Sequence, residues 1–440
     1  MIFSVLTTFV GTIHSTLYPF NILDFLSMLM FVVLCLLSAA ILAVLALSLR
    51  LLFLVRWCRR RPSGKPHPLK IAVVLGSGGH TGEMIGMLRL LGRSWLDHRC
   101  VYFVAETDKD SAGAAMTFER SLQRFASVVT IPRAREVGQS YVTSIWSTLK
   151  AARAAYKLVQ DESPDVILVN GPGVCVPVVV AAFLSQIFCV GTASVPATAY
   201  IESFTCVSHL SVSGKVLRRL VDQFAVQWPQ LKQSDWSLVG PFAVTSESNK
   251  KEVQAPLVEL NAANVLAVVT VGSTKFDTLM REISSPTLAV MKALQQLKVT
   301  NLLIQKGRSD YNPFDEAWCA TVRKELGITV EVVEYRKNIS ELFPRARVII
   351  SHAGAGTVLE AMRVGIPTVV VPNTDLMNNH QQELAEELAA KKVLLCAQCS
   401  NLSECLDAGR LGALHKFPDV PKAPYAALFD VLVNSSSEKK

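Results

Sequence analysis

Residues 348–360 read Val-Ile-Ile-Ser-His-Ala-Gly-Ala-Gly-Thr-Val-Leu-Glu, a short β-branched apolar run followed by a glycine-rich turn and a helical pattern. Residues 71–81, Ile-Ala-Val-Val-Leu-Gly-Ser-Gly-Gly-His-Thr, show the same arrangement in the N-terminal half. Such runs are typical of buried parallel strands, and a turn of small residues leaves backbone N–H groups at a helix start free for phosphate oxygens. Two such turns predict an α/β enzyme that holds two phosphorylated molecules across a cleft.

The N-terminal segment is predicted to be a membrane anchor. Phe25 to Leu49 is a run of 25 residues without a charge. As a helix it exceeds the roughly 30 Å hydrocarbon core of a bilayer, so we predict a transmembrane helix at about 25–55. Residues 1–70 hold seven lysines and arginines against Asp24, a net charge of +6, out of +8 for the whole chain. This collar of positive charge predicts a cytosolic location for the bulk of the chain, with its ten cysteines reduced.

Strand-like and helix-like segments then alternate twice along the chain. This alternation predicts an α/β protein with two Rossmann-like domains, each built on a parallel sheet. The predicted strands lie at 70–75, 100–105, 127–131, 165–170, 224–228 and 236–240, and then at 264–271, 301–305, 328–333, 347–351, 367–371 and 393–396. The predicted divisions are 1–66 for the anchor and its basic collar, 67–244 for the first domain, 245–262 for a polar linker and 263–440 for the second domain. A last helix, at 422–434, is expected to pack back across the domains.

Two stretches of the first domain raise the question of further membrane contact. Val174 to Val190 is an apolar run of 17 residues after Gly171-Pro172-Gly173, which favours burial or partial membrane contact over a second span. Lys215, Arg218 and Arg219 form a basic helix stripe that either faces the membrane surface or is simply solvated.

The second glycine turn carries polar side chains spaced to meet one nucleotide. His352 lies in the turn, where it can meet a diphosphate, and Glu360 lies two helical turns further on, where its carboxylate can accept both ribose hydroxyls. A later helix opens with the donors and acceptors that sugar hydroxyls need, at Asn378, Asn379, His380 and Gln381. The structural alternatives are a capping histidine with a solvated glutamate, and an ordinary polar helix N-terminus.

The pattern HAGAGT…E…GIP at 352–367 resembles the nucleotide-sugar half of GT-B glycosyltransferases. Residues 264–402 resemble the catalytic subunit of the UDP-GlcNAc transferase of asparagine-linked glycosylation. The matching segments are VTVGSTKFD (269–277), QKGR (305–308), SHAGAGTVLE (351–360) and LMNNHQQELA (376–385).

Residues 70–240 resemble the membrane-anchored partner subunit of the same enzyme. The matching segments are LGSGGHTGEM (75–84), IPRAREVGQS (131–140), NGPGVCVP (170–177), LSVSGK (210–215) and VQWPQL (226–231). The family uses two separate chains, whereas this sequence resembles both, fused with the anchor half first. A separate partner subunit is therefore not expected to be required.

The resemblance implies a GT-B enzyme that moves GlcNAc from UDP-GlcNAc to GlcNAc-diphosphate-dolichol, anchored by a single pass in the endoplasmic reticulum membrane with its catalytic domains in the cytosol. The implied partners are UDP-GlcNAc, dolichyl-diphosphate GlcNAc and membrane lipid, and no cofactor is expected. Because the positive charge is concentrated in residues 1–70, no nucleic-acid partner is expected either. Association with other glycosylation enzymes is left open. The alternatives are transfer to another polyprenyl-diphosphate sugar, UDP-GlcNAc epimerisation and a non-catalytic membrane scaffold.

Carried over residue by residue, the resemblance implies a donor site in the second domain. Its implied contacts are Gly272, Ser273 and Thr274 in a diphosphate loop, Gln305, Gly307 and Arg308 near the nucleotide, His352, Ala353, Gly354, Ala355 and Gly356 at the diphosphate, Glu360 at the ribose, and Asn378, Asn379, His380 and Gln381 at the sugar.

The acceptor is predicted to bind the first domain. Its predicted contacts are the glycine turn of Gly76, Ser77, Gly78, Gly79 and Thr81, and two arginines suited to a lipid diphosphate, Arg133 and Arg135. His80 lies at the end of the first strand, which faces the cleft of such a domain. It is the base that takes the acceptor hydroxyl proton, a hydrogen-bonding contact of the acceptor diphosphate, or a structural turn residue; Glu83 and Glu106 are the fallback bases.

Asp108-Lys109-Asp110 matches the D-x-D pattern that binds metal in the other large glycosyltransferase fold. Because the donor site is predicted in the second domain, Asp110 is interpreted as a helix cap and no catalytic metal is predicted. The charge of the leaving group is then expected to be stabilised by a helix N-terminus and the His352 turn.

Overall fold

The computed structural model describes residues 22–57, 68–76, 78–91, 93–125, 127–132, 144–171, 173–188, 196–241, 265–336, 338–373 and 380–434. Residues 1–60 and 61–440 form two compact units. The first unit contains helix α1 (Ile22–Trp57). Within it, Leu26–Ser48 is long and apolar enough to cross a membrane, alone among the helices described. The predicted anchor at about 25–55 is thus a helix.

The first sheet of the second unit is seven-stranded and parallel. Its strands are β1 (Lys70–Leu75), β2 (Arg99–Ala105), β3 (Ser127–Ile131), β4 (Val166–Asn170), β5 (Ala197–Ile201), β6 (Gln223–Val226) and β7 (Ser237–Leu238). They are ordered β3-β2-β1-β4-β5-β6-β7, so the order reverses between β1 and β4. In open α/β sheets a ligand crevice lies at such a reversal, outside the carboxyl ends of the strands.

The second sheet is six-stranded and also parallel. Its strands are β8 (Leu266–Thr270), β9 (Asn301–Gln305), β10 (Thr329–Val333), β11 (Ala346–His352), β12 (Thr368–Val371) and β13 (Leu395–Cys396). The order β10-β9-β8-β11-β12-β13 repeats the arrangement of the first sheet, with its reversal between β8 and β11. The two predicted parallel sheets are confirmed, and the predicted linker at 245–262 lies outside the described residues.

Helices connect the strands of both sheets. In the first half these are α2 (Gly79–Leu91), α3 (Arg93–Leu96), α4 (Lys109–Ser121), α5 (Ser144–Glu162), α6 (Cys175–Phe188) and α7 (Val212–Leu217). In the second half they are α8 (Asp277–Ile283), α9 (Ala289–Gln296), α10 (Glu316–Leu326), α11 (Ala355–Val364), α12 (His380–Ala390), α13 (Leu402–Cys405), α14 (Ala408–Gly412) and α15 (Lys422–Asn434). Short 3₁₀ turns lie at Pro229–Leu231, Ile339–Arg345 and Cys399–Asn401.

The sequence prediction is wrong in one respect, because it does not include strand β5. All five of its residues, Ala197–Ile201, are buried between β4 and β6. Its two alanines have low intrinsic strand propensity, so the position of this strand is set by burial on both faces of a parallel sheet.

The apolar run at 174–190 is a core helix as far as the structure describes it. Val178, Val179 and Ala182 of α6 are completely buried against the first sheet. This is the burial alternative of the sequence prediction, and residues 189–190 lie outside the described part.

The C-terminal helix packs back onto the first half, as predicted. Tyr425, Leu428, Phe429 and Leu432 of α15 are buried in the core of the first sheet, and the Phe429 ring lies 6.3 Å from that of Trp95. A shared core also joins the halves elsewhere, because stacked Phe204 and Trp228 belong to one cluster with side chains of α11 and α12. Both sheets therefore belong to one packed body.

Candidate active site

His352 lies where the order of the second sheet reverses, at the end of β11 beside the end of β8. Its ring is held between two glycines: a Cβ on Gly354 would lie 2.4 Å from Nε2, and a Cβ on Gly272 would lie 3.1 Å from Cε1. The ring Nδ1 lies 3.4 Å from the Thr270 carbonyl oxygen. A side chain larger than hydrogen at either glycine would displace the imidazole, so the glycine-rich sequence here makes room for this ring.

Burial decides the charge of His352. The residue is 5% exposed, and desolvation lowers the pKa of its imidazole to about 4. The ring is therefore neutral near pH 7 and acts through hydrogen bonds instead of an ion pair.

The loop after β8 is fixed by the strand next to it. The buried Gln305 amide nitrogen donates to Thr270 Oγ1 at 3.1 Å and to the Gly272 carbonyl at 3.0 Å, and its oxygen accepts from the Arg336 N–H at 2.8 Å. Gln305 thus shapes the predicted diphosphate loop, with its amide already engaged inside the protein. Ser273 remains exposed on this loop.

A second turn supports the same loop. Gly307 has φ +58°, and a Cβ there would lie 2.2 Å from the Thr274 carbonyl oxygen. That carbonyl accepts from the Arg308 N–H at 3.0 Å, while the Arg308 residue is exposed. Contact between these two turns is backbone against backbone.

Glu360 lies on the exposed side of α11. Desolvation of its carboxyl group by the adjoining protein raises its pKa, opposed by a hydrogen bond from Ser340 and by the charges of Arg363 and Arg89. Arg89 belongs to α2, so the predicted ribose ligand sits beside a cation from the first half.

The predicted sugar-binding segment is described only from its last residues. Asn378 and Asn379 lie outside the described residues, as does the side chain of His380. Gln381 Oε1 is buried without a hydrogen-bond partner among the residues described. Two residues further along α12, Glu383 Oε2 lies 3.0 Å from Nδ1 of His209, in the first half.

His80 occupies the reversal point of the first sheet, as His352 does in the second. It is the second residue of α2, and a Cβ on Gly171, at the end of β4, would lie 2.6 Å from its Nδ1. Gly171 has φ +71°. The Nδ1 atom is buried with no hydrogen-bond partner in the described part of the chain, 3.7 Å from Glu83 Oε2. The side chain as a whole is 31% exposed, so its exposed area lies on the other ring atoms.

The two fallback bases have opposite surroundings. Glu83 is buried and accepts hydrogen bonds from the Phe204 N–H at 2.6 Å, from Ser203 Oγ at 3.1 Å and from the Gln227 amide. Glu106 is exposed at the end of β2. Glu83 thus ties α2 to two segments that the sequence analysis did not connect with it. The only signal for these contacts is a general one: a charge that is buried in a folded protein needs hydrogen-bonding partners.

The glycine turns of the two halves touch each other. A Cβ on Gly356 would lie 3.2 Å from Gly79 Cα, and a Cβ on Gly86 would lie 2.9 Å from the Arg363 guanidinium. Helices α2 and α11 therefore start together and pack side by side. No side chain among the described residues caps α11 at Gly354. Two positive helix ends thus converge between His80 and His352, an arrangement that favours an anion.

The remaining acceptor predictions divide into structural and undescribed positions. Thr81 is buried, and its hydroxyl donates to the Gly76 carbonyl and lies 2.6 Å from Ser111 Oγ, so it fixes the turn. Gly78 is exposed, with φ +64°. Ser77, Arg133 and Arg135 lie outside the described residues.

The D-x-D segment needs a correction. The cap of α4 is Asp108, whose carboxylate accepts from the Ser111 N–H at 3.0 Å, and Asp110 lies within the first turn. The residues described here contain no group of three or more potential metal ligands.

Each half of the chain matches a known protein family. The family described as oligosaccharide biosynthesis protein Alg14 like matches residues 71–240. The human protein named UDP-N-acetylglucosamine transferase subunit ALG14 is 39% identical over 173 residues, which cover 38% of this chain and 78% of that protein. The chain belongs to the Alg14-like family. The glycosyltransferase family 28 C-terminal domain matches residues 266–424 of the same chain.

Solved structures share the fold over most of this Alg14-like chain. MurG of Acinetobacter baumannii aligns with a TM-score of 0.51 at 18% identity, covering 84% of this chain and 95% of that one. A UDP-glucosyltransferase from Polygonum tinctorium aligns with a TM-score of 0.55 at 12% identity, covering 85% of this chain and all of that one. The predictions of a GT-B fold and of a glycosyltransferase are confirmed, and the family together with α1 indicates a membrane-anchored protein.

Proposed function

We propose that this protein transfers GlcNAc from UDP-GlcNAc to GlcNAc-diphosphate-dolichol and so makes the chitobiosyl-diphosphate lipid of N-glycan assembly. The observation that carries the proposal is the contact of Gly79 with Gly356, because it joins an Alg14-like half to a glycosyltransferase family 28 half at one point. The name of the human relative supports the donor sugar. Since both halves are in one chain, a separate partner subunit is not required for the reaction.

The donor occupies the second half in this proposal. The diphosphate lies against the start of α11 and the neutral His352, and Glu360 binds the ribose hydroxyls. The exposed Ser273 and the 378–381 segment complete the contacts to the diphosphate and the sugar. Gln305, Gly307 and Thr274 act by shaping the loop, since their polar groups are engaged within the protein.

The acceptor occupies the first half, with His80 at the reacting hydroxyl. Burial of Nδ1 leaves the exposed part of the ring for the cleft. In the base role, His80 accepts the hydroxyl proton while the acceptor oxygen bonds to the anomeric carbon and the bond from that carbon to the UDP oxygen breaks. The configuration of that carbon inverts. The negative charge that develops on the diphosphate is stabilised by the positive ends of α2 and α11.

The anchor has a physical purpose in this reaction. A dolichol-linked acceptor stays in the bilayer, so a tethered enzyme meets it at a high local concentration. The positive collar after α1 places residues 61–440 on the cytosolic face of the endoplasmic reticulum membrane in this proposal.

The proposal is tested with radiolabelled UDP-GlcNAc and a short-chain GlcNAc-diphosphate lipid, using the full chain. Labelled chitobiosyl lipid is the expected product. Free ManNAc would instead identify an epimerase, and no product would indicate a scaffold. If a labelled product formed only from another polyprenyl-diphosphate sugar, that sugar would be the acceptor instead of GlcNAc-diphosphate-dolichol.

Two single substitutions separate the roles of the histidines. His80→Ala is expected to lower turnover by about 10²–10⁴-fold while UDP-GlcNAc still binds. His352→Ala is expected to weaken UDP-GlcNAc binding. Full turnover in His80→Ala would remove His80 from the reaction.

A further inference from the structure

Helix α7 presents an unusual combination of exposed side chains. Val212 is 65% exposed and Val216, one turn later, is 48% exposed. Lys215 is exposed on the helix and Arg219 two residues after its end, while Ser213, Gly214 and Leu217 are buried on the opposite side of the helix. Val212, Lys215, Val216 and Arg219 form what we name the α7 patch, apolar at its centre and positively charged at its edge.

The charge of this surface has one sign over a long stretch. Residues 203–221 contain no aspartate or glutamate, and Arg218 adds a half-buried third cation. Short apolar side chains with lysine and arginine around them are the composition of protein segments that lie in the interface of an anionic bilayer.

The α7 patch is held rigidly. Glu202, fully buried, accepts from the Ser211 N–H and from Ser211 Oγ, both at 3.1 Å. Ser211 in turn caps α7 by accepting from the Gly214 N–H at 2.9 Å. The exposed valines are therefore fixed by the fold, so their exposure is a property of the folded surface.

The α7 patch belongs to the half of the chain that contains the first glycine turn. The segment before α7 touches the second half, where His209 meets Glu383. That segment follows β5, and β5 itself lies two strands, roughly 10 Å, from β1.

We propose that the α7 patch docks the catalytic body on an anionic phospholipid surface, with Val212 and Val216 entering the interface and Lys215 and Arg219 contacting headgroup phosphates. The chain carries a candidate span, and a bilayer is therefore the occupant that we propose for the α7 patch. Docking does not depend on which sugar is transferred, and it is a contact additional to the anchor.

The test uses the full chain reconstituted through α1 in nanodiscs of phosphatidylcholine, with or without phosphatidylserine. Hydrogen exchange is measured over residues 205–220. The expected result is slower exchange in the anionic nanodiscs, abolished by Lys215→Glu/Arg219→Glu. Loss of the two positive charges alone should lower the docking equilibrium constant by about 30-fold, and their reversal by more. Equal exchange of the parent chain in both nanodiscs would overturn the proposal.

A matched control separates docking from net charge. Arg323→Glu/Lys324→Glu makes the same change in charge on α10, in the second half, and should retain the slower exchange; loss of the effect in this control would refute a local surface. Val212→Ser/Val216→Ser should weaken docking without any change in charge. If that variant kept the full slowing of hydrogen exchange, the α7 patch would be a site for soluble polyanions and not a bilayer surface, and the proposal would be wrong.

Discussion

Gly79 and Gly356 meet backbone to backbone, 277 positions apart in the sequence, and bring the two halves of the enzyme to one point. Gly79 is the first residue of α2 and Gly356 the second residue of α11, and each helix follows a strand at the reversal point of its own sheet. The same offset of 277 positions relates Gly86 to Arg363, the next contact along the pair. The two glycine turns are therefore held in a fixed register by helix packing.

Gly356→Ala should separate these turns. The added Cβ would lie 3.2 Å from Gly79 Cα, so one backbone must move by a few tenths of an ångström. We expect about a tenfold loss in kcat/KM, because small displacements of reacting groups are costly, with little loss of secondary structure. Steady-state kinetics and circular dichroism measure the two effects.

Gly82→Ala is the matched control for this contact. Gly82 lies on the same helix as Gly79, but a Cβ there meets nothing within 4 Å. Activity should be unchanged and unfolding should require about 0.5–1 kcal/mol more, since alanine is favoured over glycine within a helix. Equal activity of Gly356→Ala and Gly82→Ala would contradict a role for the close approach.

The neutral state of His352 predicts a pH dependence of stability. Its pKa is about 4 in the folded chain against an ordinary value near 6.5, so between these values the unfolded chain binds a proton that the folded chain does not. Stability should therefore fall as the pH drops from about 6.5 to 4, by up to roughly 3 kcal/mol from this group. Urea unfolding of the parent and of His352→Gln across this range measures the difference in slope; parallel curves would show that His352 titrates normally.

The strands and both glycine turns could be predicted because their signals are local. Apolar runs such as 71–75 specify a buried strand wherever they occur, and glycines mark the turn that follows. Strand β5 could not be predicted in this way, since Ala197 and Ala199 pair in the sheet only through burial by neighbouring elements. The choice of Asp108 over Asp110 as a cap depends on where a helix begins within two residues, which sequence patterns fix poorly.

Contacts between distant segments could not be predicted from the sequence. The Gly79–Gly356 contact and the enclosure of the His80 ring by Gly171 depend on how sheets and helices pack. Resemblance to a family nominated Gln305 as a donor ligand, yet its amide is occupied by the loop that it supports. Residue type and position in a motif thus indicate a site more readily than they indicate which atoms remain free there.

Gly307→Ala should disturb the loop after β8, which is the predicted diphosphate loop. A Cβ there would lie 2.2 Å from the Thr274 carbonyl, and φ is +58°. Gly327→Ala provides a control with φ +72° and no atom within 4 Å of the added carbon. Both substitutions carry the cost of a left-handed residue, about 1–2 kcal/mol, but only Gly307→Ala should also weaken UDP-GlcNAc binding, measured by calorimetry. Equal UDP-GlcNAc binding by the two variants would show that this loop has no role in binding the donor.

Glu83→Gln should distinguish a structural carboxylate from a base. Three donors surround the two carboxylate oxygens of Glu83, and an amide would turn its own NH₂ toward at least one of them. We expect the free energy of unfolding to fall by about 1–3 kcal/mol. Turnover should fall only to the extent that a movement of α2 displaces His80. Glu106→Gln replaces the exposed carboxylate of the other fallback base and should change neither the free energy of unfolding nor turnover. Thermal melts and initial rates of both variants decide the matter: abolished turnover at an unchanged melting temperature in Glu83→Gln would make Glu83 the base, and the same result in Glu106→Gln would give Glu106 that role.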